Sequence, residues 1–245
     1  MARREFNPGA LTAPLPAVLV SVGNADEYNL ITIGWTGILS THPPRTYISV
    51  RPERHSYGML KESREFVINL TTAEMVRAVD FAGVFTGKKV DKLKECGLTA
   101  VKSKTVAPPT VMQSPLALEC RVVEIIPMGT HDVFIADIVG ITADEGIIDE
   151  KGRICFDRAN LLAYAHGEYF ALGEKLGAFG FSASKSAKRT DKRAPVERRA
   201  PAERRAPTER SAPKSRGSKS GKGAKTVSKK KKTPPVSRKK QKRGE

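Results

Sequence analysis

The polar side chains of this sequence are densest in the segment Arg51-Pro-Glu-Arg54-His55-Ser56-Tyr57. A predicted strand ends at Arg51 and a predicted helix begins at about Ser56, so two guanidinium groups, a hydroxyl and the free amides of a helix N-terminus converge there. This combination is typical of an anion site. A solvated strand-to-helix loop with a serine cap contains the same residue types, so the segment alone leaves both interpretations open.

The sequence does not contain a complete phosphate-loop, dinucleotide-binding or metal-ligand motif. The segment GVFTGK at 83–88 is one residue short of a phosphate-loop signature, and Lys89 stands where Ser or Thr would bind magnesium. The chain has no Gly-x-Gly-x-x-Gly fingerprint, so any nicotinamide nucleotide must bind without a Rossmann domain. Its histidines do not have the spacing of metal ligands, which argues against a metal site. The four histidines are His42, His55, His131 and His166.

Residues 1–184 contain mainly short predicted strands separated by turn residues. The long helices of a doubly wound fold are missing, so a mainly β barrel or sandwich is predicted. In the fifth strand, Leu118 and Cys120 fall on one face and Glu119 and Arg121 on the other, which is the period of a half-buried strand. The predicted strands are Ala17–Val22, Leu30–Trp35, Thr46–Arg51, Glu65–Leu70, Leu116–Ile126 and Val133–Thr142.

Three short helices are predicted beside these strands. One begins at about Ser56, and a second is opened by a capping box, Thr71-x-x-Glu74. The third covers Asp91 to Cys96 and is stopped by Gly97. Because they are short, we expect them to flank a barrel.

The positive charge of the chain is concentrated in its last quarter. The formal net charge is +17, but residues 185–245 alone contain 24 basic and 5 acidic side chains. This segment repeats the motif Arg-Ala-Pro-x-Glu-Arg three times, and a proline every sixth residue forbids a continuous helix. Its large aliphatic residues are three valines, so it has no core to bury. We therefore predict one domain over 1–184 and a disordered basic tail over 185–245.

The cysteines and the hydropathy pattern favour a cytoplasmic protein. Cys96, Cys120 and Cys155 are an odd number without a Cys-x-x-Cys motif, which argues against a disulfide framework and favours reduced thiols. Pro14 and Pro16 interrupt the apolar stretch near the N-terminus, so a secretory signal is not predicted. No run reaches the ~18 apolar residues of a membrane helix.

A longer series of motifs extends over about residues 12–181. It begins with LITIGWTGILSTHPPRTYISVR at 30–51 and Ser56-Tyr57. It continues with EFVIN at 65–69, TGK at 86–88, DKL at 91–93, GLT at 97–99, LEC at 118–120, GTH at 129–131 and YFALG at 169–173. In order and spacing, this series resembles the flavin reductase-like family with the FMN-binding split barrel, and its flavoredoxin branch in particular.

The resemblance implies a six-stranded antiparallel Greek-key split barrel with flanking helices. It also implies a homodimer, with FMN bound near the subunit interface. The residues implied at the phosphate end are Arg51, His55, Ser56 and Tyr57, with Lys92 as a further cation.

The resemblance further implies which residues surround the rest of FMN. Ser49 and Asn69 would contact the polar edge of the isoalloxazine or the ribityl chain. The residues implied along the isoalloxazine are Thr32, Trp35, Thr36 and Ser40. An isoalloxazine fits a flat wall with backbone donors and acceptors beside it. Without the family context, Trp35 is an aromatic residue that packs in the barrel.

His131 matches the histidine that family members carry on a late strand, facing the nicotinamide side of the flavin. The resemblance therefore implies that His131 is catalytic. The alternative is a histidine on a surface turn.

Three functions are compatible with these observations. The first is an oxidoreductase in which NADH or NADPH delivers hydride to flavin N5 and an unidentified acceptor takes the electrons. The second is a module that binds FMN, or haem as in related split barrels, without turnover. The third is attachment to nucleic acid or another polyanion through the basic tail, which would be sequence-blind because the tail has no aromatic residues. A tail that is only solvated is the alternative.

Overall fold

The computed structural model describes residues 3–24 and 26–183, so the predicted basic tail, 185–245, lies outside the described residues. Three α-helices occur in the described part: α1 (His55–Ser63), α2 (Val76–Val84) and α3 (Lys92–Glu95). Its strands are β1 (Leu15–Pro16), β2 (Val18–Gly23), β3 (Tyr28–Ile33), β4 (Thr36–Thr41), β5 (Pro44–Val50), β6 (Glu65–Asn69), β7 (Ala100–Val101), β8 (Thr110–Val111), β9 (Leu116–Pro127), β10 (Asp132–Ala143), β11 (Leu162–Ala165) and β12 (Glu168–Ala171). None of the helices between residues 3 and 183 is long and apolar enough to cross a membrane.

Seven strands form one antiparallel sheet in the order β3-β2-β6-β9-β10-β5-β4. Its outermost strands, β3 and β4, are consecutive in the chain and only Gly34 and Trp35 separate them. The sheet must therefore curl until its two edges approach, and the amide of Ser49 on β5 donates to the carbonyl of Trp35 at 3.0 Å. The result is the antiparallel split barrel that the sequence predicted.

Alternate residues of six strands fill the barrel interior. This is the pattern of a pleated strand with one face inward, and it confirms the expected number of barrel strands. Full burial of a Val, Ile or Phe side chain stabilises the fold by about 1.5 to 3 kcal/mol. The inward residues are Val18, Val20 and Val22 of β2, Ile31 and Ile33 of β3, Ile48 and Val50 of β5, Phe66 and Ile68 of β6, Cys120 and Val122 of β9, and Phe134 and Ala136 of β10.

A second core packs α2 and α3 against the outside of β2 and β3. Leu19 and Leu30 point away from the barrel interior and contact Val79 and Ala82 of α2 and Leu93 of α3. Beside them, β11 and β12 form a hairpin that pairs with β1. The helices and the hairpin therefore cover one side of the barrel.

The structure agrees with the six predicted strands and adds β4 to the barrel sheet, besides the short strands β1, β7, β8, β11 and β12 outside it. The edge strand β4 was missed because its central residues, Ile38 and Leu39, are both exposed and do not alternate with polar residues. The helix stop at Gly97 is confirmed, since Gly97, which follows the last residue of α3 after Cys96, has a φ of +63°. The start of α3 is also confirmed, because the Asp91 side chain accepts from two backbone amides of its first turn.

The predicted capping box at Thr71 is wrong. The Thr71 hydroxyl donates to the carbonyl of Ala17, so it ties this segment to the strand region. A short 3-10 turn, Ala73–Met75, comes first, and α2 begins only at Val76. The sequence pattern identified the helix but not its cap, because the Thr71 hydroxyl forms a tertiary hydrogen bond with Ala17 and does not cap the helix.

Glu119 contradicts the half-buried pattern predicted for β9, because its side chain is completely buried. Its carboxylate accepts from the amides of Lys104 and Thr105, at 2.9 and 2.5 Å, and from the Thr105 hydroxyl. Desolvation opposes ionisation of this carboxyl, but the hydrogen bonds outweigh it and hold its pKa below the usual value. A buried carboxylate therefore fixes the loop that crosses the outer face of β9.

We predict that Glu119→Gln lowers the free energy of unfolding by about 2 kcal/mol, because an amide cannot accept all of these hydrogen bonds. The lowered pKa means that the stabilisation is present above the unfolded value of about 4.3 and is lost as the pH falls below it. Urea denaturation at pH 7 measures the difference. The matched control is Glu124→Gln on the exposed part of the same strand, and an equal effect of both substitutions would contradict the prediction.

Candidate functional site

A cleft of about 260 Å³ opens where the ends of several elements meet. It lies between β3, the end of β5, the C-terminus of α2, the turn before β10 and the β11–β12 hairpin. Five residues singled out in the sequence line it: Thr32, Trp35, Ser49, Arg51 and His131. Arg54, which belongs to the polar segment of the sequence, lines it too.

In the part of the chain that the structure describes, no carboxylate forms an ion pair with the two guanidinium groups of the cleft. Among the described residues, Arg51 makes no side-chain hydrogen bond or ion pair. Arg54 donates to the carbonyl of Gly83 at 3.2 Å. An anion entering the cleft therefore meets two cations whose charge is available.

Lys92 lies behind this pair, and its side chain is almost fully buried. Its ammonium donates to the carbonyls of Leu30 and Ala82, at 2.7 Å each. Burial, and then the charge of Arg54, lower the pKa of Lys92 to about 8. Ala82 and Gly83 lie in the last turn of α2, so the negative end of this helix holds both Lys92 and Arg54.

Helix α2 approaches β3 closely at the floor of the cleft. The Thr32 hydroxyl donates to the carbonyl of Val79 at 2.5 Å. A Cβ at position 83 would lie 3.3 Å from the Cβ of Thr32, which is tighter than ordinary contact. Glycine at 83 therefore allows the helix end to reach the strand.

Trp35 and His131 form an aromatic pair at the mouth of the cleft. Their ring centroids are 4.5 Å apart and the planes are tilted by 38°. Trp35 remains 41% exposed, so it is not a core residue. Desolvation lowers the pKa of His131; the charges of Arg51 and Arg54 act in the same direction and that of Glu53 opposes them. His131 is therefore mainly neutral at pH 7 and can donate or accept a proton.

Three other residues implied by the resemblance lie outside the cleft lining. Thr36 is buried and donates to the carbonyl of Tyr47 at 2.5 Å. Ser40 pairs with Arg45 across β4 and β5. Asn69 is completely buried, where its amide donates to the Ser21 hydroxyl at 2.9 Å. Each of these three residues therefore pairs with another residue of the same chain.

The residues at the start of α1 are also separated from the cleft lining. Ser56 is buried and accepts from the side chain of Asn29 at 2.8 Å. The Tyr57 hydroxyl donates to Asp132 at 2.5 Å. His55 is the first residue of α1 and is half-buried. The structure thus brings the two arginines of the polar segment to the cleft, while Ser56 and Tyr57 bind other residues.

Sequence reasoning missed two tyrosines that line the cleft. Tyr164 on β11 and Tyr169 on β12 pack edge to face with centroids 5.4 Å apart. Tyr169 also donates to Asp80 at 3.2 Å, and burial followed by the charge of Asp80 raises its pKa to about 12. The hairpin reaches the cleft only because β11 pairs with β1, a contact between segments about 150 residues apart that no local spacing reveals.

The cleft continues past Trp35 into a second hollow of about 350 Å³, which shares Leu15, Trp35 and Ser49 with it. Tyr47 and Thr12 line this hollow as well. Ligand pockets usually have volumes of about 300 to 1,000 Å³. The two hollows together fit a planar, anionic ligand, because they combine an exposed aromatic wall with available arginines. Between residues 3 and 183, as far as they are described, no group of metal-ligating side chains is placed to hold a metal ion.

Comparison with known proteins agrees with this geometry. Residues 11–173 match the model of the flavin reductase like domain. The chain belongs to the flavin reductase-like family. An uncharacterized protein of Archaeoglobus fulgidus is 32% identical over 141 residues, which are 58% of this chain and 79% of that protein. One of Pyrococcus abyssi is 33% identical over 135 residues, or 55% of this chain and 77% of that protein.

Solved structures of this flavin reductase-like family share the fold. Flavoredoxin of Desulfovibrio vulgaris aligns with a TM-score of 0.70 and 27% identity, over 75% of this chain and all of that chain. The FMN-binding protein of Thermus thermophilus with bound 1-cyclohex-2-enone aligns with a TM-score of 0.62 and 27% identity, over 72% of this chain and 99% of that chain. The chain therefore has the split-barrel fold of flavin-binding oxidoreductases.

We predict that the fluorescence of Trp35 reports the protonation of His131, because an imidazolium close to an indole quenches it and the chain has a single tryptophan. In flavin-free protein, emission should fall on acidification with a midpoint below about 6.5, since the pKa of His131 is lowered. His131→Ala should abolish the transition, and His42→Ala should leave it unchanged. A transition that survives in His131→Ala would contradict the stacked arrangement.

Proposed function

We propose that this protein is an FMN-dependent oxidoreductase that uses NADH or NADPH as its electron donor. The observation that carries this proposal is the cleft, in which Arg51, Arg54, Trp35 and His131 meet in a chain of the flavin reductase-like family. When bound, the flavin supplies the chemistry, because its N5 accepts a hydride and its reduced form passes electrons to an acceptor. The protein binds and orients the reactants.

The cations of the cleft are the proposed partners of the FMN phosphate. Arg51 and Arg54 have no competing carboxylate among the described residues, and Lys92 adds a further charge behind them. Guanidinium groups bind phosphate oxygens in pairs, which fixes the orientation of the ligand as well as its affinity. Trp35, Thr32 and Ser49 would surround the rest of the cofactor.

The residues that the resemblance implies but that do not line the cleft also have proposed roles. His55 and Ser56 stand at the N-terminus of α1, where backbone amides attract a phosphate, whereas the Tyr57 amide donates to the carbonyl of Arg54 at 2.9 Å. Thr36 and Ser40 lie on β4, which pairs with β5, and Asn69 lies on β6, which pairs with β2. They would support the cleft through these neighbouring strands.

His131 is the proposed catalytic residue. Its ring covers one side of Trp35 at the mouth of the cleft, where a nicotinamide would arrive. A largely neutral imidazole at this place can hold the donor by a hydrogen bond. It would not repel the positive charge that the nicotinamide ring gains when it gives up a hydride. The polar edge of the ring therefore orients the donor, and its flat face excludes water.

A single absorbance experiment tests the proposed activity. Purified protein supplemented with FMN should show a bound flavin spectrum that bleaches on addition of NADH or NADPH under anaerobic conditions. Persistence of the oxidised spectrum with both nucleotides would leave a flavin-binding module without turnover and would refute the oxidoreductase proposal.

We predict that Arg51→Ala weakens FMN binding by about 1.5 to 3 kcal/mol, the range for a charged hydrogen bond, and leaves riboflavin binding unchanged. Fluorescence titration with the two flavins measures both affinities. Arg77→Ala is the matched control, because Arg77 is exposed on α2 and lies outside the cleft lining. Equal affinities of the unmodified protein for FMN and riboflavin would contradict the phosphate site.

A homodimer follows from the same proposal. The cleft is small for a complete flavin nucleotide, and beside it the edge strand β4 exposes Ile38 and Leu39. A second copy on this face would cover the apolar residues and enlarge the site. Sedimentation velocity should give a dimer, and Ile38→Asp should shift it toward the monomer; a monomeric unmodified protein would refute this part.

The basic segment 185–245 is the proposed attachment site for nucleic acid or another polyanion. Its support is compositional, since its 24 basic side chains would release counterions from phosphate backbones. No aromatic residue interrupts them, so binding would be independent of sequence.

We predict that removal of residues 185–245 abolishes binding to DNA and RNA and leaves FMN binding unchanged. Binding of the full chain should fall steeply with salt, because each neutralised phosphate contributes to the slope. Filter binding between about 50 and 200 mM salt covers the informative range. Failure of the full chain to bind at the lowest salt, or loss of flavin binding on truncation, would contradict this division of roles.

A further inference from the structure

Tyr57 is held on three sides at the boundary between the barrel core and the cleft. Its ring packs edge to face against the buried Phe134, with centroids 5.7 Å apart. The ammonium of Lys61, one turn later on α1, lies 5.6 Å from the ring centroid. Its hydroxyl donates to the Asp132 carboxylate at 2.5 Å. The direction of the hydroxyl is thus set by the core and not by the cleft.

Asp132 connects this tyrosine to the turn that carries His131. It is the first residue of β10, where it faces Val50 on β5 and Pro127 on β9. Its carboxylate has no other side-chain partner within residues 3–24 and 26–183. Since His131 precedes it directly, a fixed Asp132 limits the positions that the His131 ring can take.

The other residues of the turn, 128–130, constrain the His131 ring less than Asp132 does. The amide of Met128 donates to the His131 carbonyl at 2.8 Å, and Gly129 has a φ of +83°, so residues 128–131 form a tight turn. Among the residues that the structure describes, the ring itself contacts the exposed Thr130 hydroxyl, at 2.9 Å, and Trp35. The Tyr57 hydrogen bond therefore joins the residue that follows this turn to helix α1.

We propose that Tyr57 is a positioning residue, whose hydrogen bond to Asp132 holds His131 against Trp35 in the cleft. This inference rests on the proposed function as far as the effect on catalysis is concerned. It assigns Tyr57 to the orientation of His131 and not to the phosphate of the cofactor. A misplacement of about 1 Å at a catalytic group can cost much of a reaction rate, so the bond should matter to turnover.

The first test uses Tyr57→Phe in flavin-free protein, with Trp35 fluorescence as the readout. Removal of the hydroxyl leaves the ring packing on Phe134 and should reduce the amplitude of the pH-dependent quenching at least twofold. The charged groups that act on His131, namely Arg51, Glu53 and Arg54, are unchanged by this substitution. Tyr28→Phe is the matched control, because Tyr28 is an exposed tyrosine on β3 outside the cleft lining.

The second test measures stopped-flow reduction of the bound flavin by NADH and NADPH. Tyr57→Phe should slow reduction about tenfold, with FMN affinity within twofold of the unmodified protein. Asp132→Ala should have a similar effect, and the double variant should be no slower than the slower single variant, because both substitutions break one bond. Asp132→Asn keeps an acceptor oxygen and should recover most of the rate.

The outcomes separate this inference from the proposed function. Unchanged quenching in Tyr57→Phe, or effects of the two single substitutions that multiply in the double variant, would overturn the positioning role. Loss of FMN affinity with an unchanged reduction rate would place Tyr57 at the phosphate instead and would also overturn it. If no variant is reduced by either nucleotide, the proposed function fails, and the Trp35 titration in flavin-free protein still decides the role of Tyr57.

Discussion

The seam between the two edge strands governs the rest of this structure. Because only Gly34 and Trp35 join β3 to β4, the sheet has to curl, and the hydrogen bond from Ser49 to Trp35 extends the β4–β5 pairing into this connection. The end of β5 and the start of β10 arrive at the same place, since Val50 pairs with Asp132. Arg51 and His131 follow and precede these two residues in the chain. The cleft is therefore a consequence of barrel closure.

The electrostatics of the cleft depend on helix α2. Burying the ammonium of Lys92 without a carboxylate would cost several kcal/mol if nothing compensated it. The carbonyls of Leu30 and Ala82 provide that compensation, and Gly83 does the same for Arg54 on the exposed side. Since carbonyl dipoles do not cancel the net charge as a carboxylate would, the site keeps its positive potential for an anionic ligand.

Two buried polar groups show where pattern reasoning from the sequence stops. The alternation in β9 correctly places Glu119 on the face opposite Cys120, but the same alternation cannot show that residues 104 and 105 fold over that face. The Thr71 capping box fails for the same reason, because its hydroxyl binds Ala17 across 54 positions of sequence. In both cases the side chain forms a hydrogen bond with a backbone group that is distant in sequence, and this bond replaces the role that the local pattern predicts.

The sequence by itself determined the antiparallel barrel, five of the residues that line the cleft and the family, because these depend on alternation, turn residues and the order of motifs. It also pointed to the segment from Arg51 to Tyr57 as the richest in polar side chains. Only the tertiary structure decided how that segment divides, with Arg51 and Arg54 at the cleft and Ser56 and Tyr57 bound to Asn29 and Asp132. It alone brought the β11–β12 hairpin and the end of α2 to the site. Those contacts join segments far apart in the chain, and their geometry is set by packing, which local spacing does not encode.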